Sequence, residues 1–130
     1  QKQNGCIFES NGAGQKHRMI AEDPFVMIYQ GLYYAVTRDV EGIFTGISGA
    51  FCLFVSEDGY RWESAKHPLV YTTETKWSDG SKTHGQLERP FVLQDRNGEP
   101  IMLIGAMTTQ TDKEGSRLHS GSLRVPLKGK

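Results

Sequence analysis

The chain has 130 residues, one domain's worth or a piece of a larger one, with fifteen basic and fifteen acidic side chains and a formal charge of zero. That balance argues against a nucleic-acid or anionic-membrane partner, since both need a basic surface. No apolar run approaches the roughly 18 residues that span a bilayer, and the opening QKQNGCIFES lacks a signal-peptide core.

In chain order, the periodicity is strand-like and never helical. Residues 24–29 (PFVMIY) form a short apolar run, Gln30-Gly31 a turn signal, and 32–37 (LYYAVT) a run of β-formers. A glycine-spotted polar stretch covers 38–49, and 50–56 (AFCLFVS) reads as a third strand. Glu57-Asp58-Gly59 marks a tight turn, and 60–64, carrying Trp62, a fourth strand. A short LVY run follows His67-Pro68, and 71–86 reads as a long polar loop. The pattern then restarts with a strand over 90–94, a turn over 95–99 and a strand over 100–107. A second polar loop spans 108–120 and a closing strand 122–127. Cys6 and Cys52 make neither a disulfide framework nor a CxxC pair, and Cys52 within AFCLFV reads as a buried thiol. Compartment is not legible from two cysteines.

AEDPFV at 21–26 returns as LERPFV at 87–92, 66 residues later. Four short antiparallel strands that begin to repeat suggest blades of a β-propeller; an antiparallel sandwich is the alternative. The fold class expected is therefore all-β, with about two four-stranded blades in the chain. Strand alternation places Glu22, Asp23, Glu88 and Arg89 on the same face as both long loops, with the short turns opposite. The first strands of propeller blades line the central channel, so residues before Pro24 and Pro90 converge at its mouth. Proline at a strand start loses no needed ladder bond and fixes the direction of the preceding residue. Two carboxylates facing one cavity are what glycosidic-bond hydrolysis requires, one donating a proton to the leaving oxygen.

The segments EDPFV, GLYYAV, AFCLFVSEDGYRW, AKHPLV, LERP and a closing VPLK, in that order, span about residues 21–128. Together they resemble the five-bladed β-propeller glycoside hydrolases, the arabinanase/xylosidase-like and neoagarobiose-hydrolase-like enzymes. The resemblance implies the C-terminal portion of a propeller. Residues 1–21 would end one blade, about 22–71 form the next, and about 88–128 begin another. It also implies an inverting hydrolase of oligosaccharides or polysaccharides, with an extracellular or periplasmic setting. Asp23 matches the Asp that tunes the acid and orients substrate, and Glu88 matches the acid, here in LERP where an EGP-like form is common. His84 lies four residues before Glu88 and is the other candidate acid, because a histidine near this region takes that role in the neoagarobiose-hydrolase-like enzymes. The first Asp of the family, its base, has no counterpart in these residues.

Further candidates carry two readings each. Trp77 is a sugar-stacking platform or a hydrophobic peg for its loop. Arg89 and Arg38 bind substrate, or pair with Glu22 or Asp23 and with Asp39 respectively. Trp62 reads as core, SEDGYRW as a structural hairpin like the Asp-box of propellers, His67 as a packed strand residue, and His17 and His119 as exposed. No cofactor is expected and no ligand spacing points to a metal, although propeller channels commonly hold a water or an ion such as calcium. A non-catalytic carbohydrate-binding propeller and a glycoside phosphorylase are the alternative functions; the second needs a phosphate-holding cluster, for which Arg38, Arg89 and Lys76 are on offer. Exposed blade edges would favour self-association.

Overall fold

In the computed structural model, AEDPFVMIY forms β1 (Ala21–Tyr29) and LYYAVTRD forms β2 (Leu32–Asp39). The structure describes residues 20–111 and 117–127, so Cys6, His17 and nearly all of the expected preceding blade end lie outside it. The β1–β2 turn is Gln30-Gly31, at φ 49° and 80°. Positive φ at both central residues is the hairpin geometry that matches strand twist, and glycine adopts it without strain.

β3 (Ala50–Ser56) and β4 (Glu63–Tyr71) complete an antiparallel sheet in the order β1-β2-β3-β4. The expected fourth strand over 60–64 and the separate LVY run are in fact this one strand. Its partner on β3 jumps from Ser64 at Phe54 to Leu69 at Cys52. Pro68 falls inside that irregularity on the sheet's edge, where its missing N–H costs no ladder bond. His67 is exposed there, not packed as expected.

The long polar loop expected over 71–86 holds a small hairpin, β5 (Glu74–Lys76) and β6 (Lys82–His84). Its short strands carry no apolar alternation, so periodicity misses them. β7 (Gln86–Gln94), β8 (Pro100–Thr111) and β9 (Arg117–Pro126) form a three-stranded antiparallel sheet. β8 and β9 run well into the stretch expected as loop 108–120. The described residues are thus all-β with antiparallel sheets, and the second sheet shows among them the three strands read along the chain, one fewer than a four-stranded blade.

The two larger sheets pack face to face. Val36 and Phe51 from the first meet Leu87, Val92, Leu103, Met107 and Leu123 from the second, with Phe25 and Met27 against them. Gly105 makes the approach possible: a Cβ there would lie 2.9 Å from the Phe51 ring. The other face of the first sheet buries Ala35, Cys52 and Phe54, with Phe44 and Trp62 over them. Trp62 joins the core as expected, its indole N–H donating to the Gly59 carbonyl at 3.1 Å. Cys52 is buried beside Thr37 Oγ1 at 3.0 Å, and burial pushes its thiol up to about 11.

Candidate functional site

β1 and β7 are bulged at the same repeat position, between Glu22 and Phe25 and between Glu88 and Phe91. Each bulge turns on a non-glycine residue before proline in the left-handed region, Asp23 and Arg89, both at φ 53°. Such a residue costs on the order of 1–3 kcal/mol unless its surroundings enforce it. Here the two enforce one another: the Arg89 N–H donates to Asp23 Oδ2 at 3.2 Å. The Asp23 carboxylate therefore sits on the peptide that follows Glu88. Of the two readings of Arg89, substrate binding or pairing with Glu22 or Asp23, the second placed the contact on its guanidinium, whereas its main-chain N–H makes the contact with Asp23.

Glu22 forms its ion pair with Arg38, directly opposite on β2, and both side chains are largely buried. The expected Arg38–Asp39 pair does not form. Asp39 is buried at the end of β2 and accepts from the N–H groups of Ile43, Phe44 and Thr45 and from the Thr45 hydroxyl, at 2.8–3.0 Å. It folds the loop of residues 40–49 over the strand end. Reading Asp39 only as a partner for its neighbour hid this role; an acidic residue closing a strand before a glycine-spotted loop was the available signal. The Arg38 Nε is buried without a hydrogen-bond partner.

In the second sheet the same positions carry different chemistry. Glu88 is half-buried and lies opposite Ala106, and Leu87 lies opposite Met107. The β5–β6 hairpin covers this end. Thr75 is buried, with its hydroxyl 3.9 Å from Met107 Sδ and 3.4 Å from the Tyr71 hydroxyl. Thr75 is the peg that seats the hairpin. Trp77 leaves its ring partly exposed at the hairpin turn, held by an indole N–H to Thr83 Oγ1 at 2.7 Å.

His84 is exposed and lies 3.3 Å from Glu74, its cross-strand partner, which Lys82 approaches at 3.2 Å. The Lys82 hydrogen bond holds the Glu74 carboxyl below the usual range. The structure thus brings together Asp23 with the Glu88–Arg89 peptide and Glu22 with Arg38, while it ties His84 to Glu74.

The opposite end is structural. Asp58 accepts from the N–H groups of Arg61 and Tyr60 at 2.8 Å, which lowers its pKa, and Ser56 Oγ accepts from the Gly59 N–H. An open groove of about 520 Å³ runs past Ser56, Asp58, Arg61 and Glu63 at this end, away from the bulges. Among the described residues no group of three or more His, Cys, Asp and Glu is placed to hold a metal ion. No family model matches the chain, and no curated protein or solved structure matches it.

Proposed function

We propose that the chain belongs to a β-propeller glycoside hydrolase acting on an oligosaccharide or polysaccharide, with Glu88 as proton donor and Asp23 as its orienting and tuning partner. The observation that carries the reading is the Asp23 carboxylate on the Arg89 amide, which joins two repeat-related strand entrances at one place. Carboxylates flanking a glycosidic bond cleave it when one protonates the leaving oxygen and another activates a water on the far side of the sugar. Glu88 takes the first role. The base comes from a further entrance of the same kind, and with a water between base and sugar the course is inverting. The exposed Arg89 and the partly exposed Trp77 ring are the groups offered to the sugar, Trp77 giving an apolar face to a pyranose, while Glu22 and Arg38 are held in their mutual ion pair.

Reducing-sugar release from an oligosaccharide panel by the full-length protein, which carries the further entrance, tests this. Glu88→Gln is expected to lower release at least a hundredfold while leaving binding within about threefold, as for loss of a general acid. Release that survives Glu88→Gln and falls in His84→Ala moves the role to His84. The partly exposed Trp77 ring favours carbohydrate binding without cleavage as a second reading, and wild-type binding with no release selects it.

A further inference from the structure

Arg89 is a residue type at odds with its backbone. Its φ of 53° lies in the left-handed region, where Asp and Asn are enriched and glycine sits without strain, but where a long side chain is uncommon. Asp23, at the same φ 66 residues earlier, suits the position. The link between the two entrances does not explain the arginine, because it uses only the main-chain N–H of residue 89, which glycine also has. Strain of this kind is kept where the side chain has a use. The side chain is available for one. Arg89 is exposed, and the Glu22 carboxylate is taken by Arg38. Among the described residues the Arg89 guanidinium has no hydrogen-bond or ion-pair partner.

The β5–β6 hairpin adds positive charge at the same end of the sheet. Thr75 meets Met107, which opposes Leu87, the residue before Glu88. Strand alternation then groups Glu74, Lys76, Lys82 and His84 on the hairpin's other face. Lys82 and His84 lie 3.2 and 3.3 Å from Glu74. Lys76 sits directly opposite Lys82, a placement in which like charges repel. One carboxylate does not balance two ammonium groups, even with His84 neutral. The chain as a whole has zero formal charge, so the excess is local.

A guanidinium presents its N–H donors in a planar fork that matches two oxygens of one oxyanion. We infer that the sugar taken at this site is anionic, its carboxylate or sulfate held by the Arg89 guanidinium beside the bond that Glu88 protonates. The bond cleaved rests on the glycosidase reading above; the sugar chosen rests on Arg89. A uronic acid and a sulfate ester both supply the oxyanion.

Matched substrate pairs given to the full-length protein test it: uronate oligosaccharides against their methyl esters, and sulfated oligosaccharides against their desulfated forms. In one pair the charged member is expected to be favoured at least about tenfold in kcat/KM, the scale of charge-assisted hydrogen bonds, and the pair that responds identifies the oxyanion. Arg89→Gly is expected to hold the urea midpoint at or above wild type, since it relieves the left-handed strain, and to shrink the preference to within about threefold. Neutral members cleaved as well as their charged partners overturn the inference and leave the glycosidase reading standing, and so does a preference that survives in Arg89→Gly. Release that requires inorganic phosphate and yields a sugar phosphate also overturns it, since the cation then serves a co-substrate. If no sugar is released, calorimetry separates the two readings. Charged oligosaccharides that bind wild type at least about tenfold more tightly than Arg89→Gly uphold the anionic site and end the glycosidase reading. Charged oligosaccharides that bind neither protein end both.

Discussion

The two strand entrances share a backbone and differ in chemistry. Both have the bulge, the proline and the left-handed residue before it. At the first, Glu22 faces Arg38, and Asp39 occupies the position that opposes Ala21. At the second, Glu88 faces Ala106, and Met107 occupies the position that opposes Leu87. The first is closed by charge and by hydrogen bonds to its loop, the second by a methionine under a hairpin. A repeat thus conserves the geometry that aims a side chain while the cross-strand neighbour decides what that side chain does.

Asp39→Ala should produce the largest effect on stability. It removes four hydrogen bonds accepted by a buried carboxylate and frees the loop of residues 40–49 from the strand end, a loss of about 3 kcal/mol in urea unfolding. Met107→Leu, the volume-conserving change at the matching position, should cost less than about 1.5 kcal/mol. Equal costs would mean that the two entrances are closed by the same kind of force.

Val92 is buried and Val26 exposed, so Val92→Ala should cost about 2 kcal/mol and Val26→Ala less than about 0.5 kcal/mol, although the two occupy one repeat position. Arg38→Ala should cost about 2 kcal/mol, because it leaves the largely buried Glu22 carboxylate without its counter-ion, offset in part by removal of the unpartnered Nε. Ala106→Arg copies that arrangement opposite Glu88. It is expected to keep the fold by circular dichroism and, under the proposed function, to reduce sugar release at least tenfold, as for a disabled general acid.

The smallest effect concerns pH. Asp58 has its pKa lowered from 3.8 in the fold, chiefly by the Arg61 and Tyr60 N–H groups. Its contribution is therefore fully present above the unfolded value and is lost as pH falls through the lower folded one. Thermal midpoints measured below about pH 4, where free Asp protonates, should fall less steeply in Asp58→Asn than in wild type.

Much of the fold was legible because strand formation rests on local patterns. PFVMIY, LYYAVT and AFCLFVS carry their apolar periodicity openly, and Gln30-Gly31 and SEDG name their turns. The β5–β6 hairpin was not legible, because ETK and KTH have no apolar side to declare. β4 was cut short because Pro68 reads as a break, and only its place on a sheet edge makes it tolerable. The candidate site was legible as an echo of residue types. Which partner each residue takes was not: Arg38 reaches across to Glu22 and leaves its neighbour Asp39 to the loop.

By itself the sequence determined an antiparallel all-β chain, the positions of its main turns, and a repeat that places Asp23 and Glu88 at equivalent strand entrances. These follow from side-chain alternation and from glycine and proline, which act within a few residues. Only the tertiary structure decided that Asp23 binds the backbone beside Glu88, that Glu22 is matched by an arginine where Glu88 meets an alanine, and that Val26 and Val92 have opposite fates. Those outcomes depend on cross-strand register and on which sheet face meets another, and both are set by contacts between residues far apart in the chain.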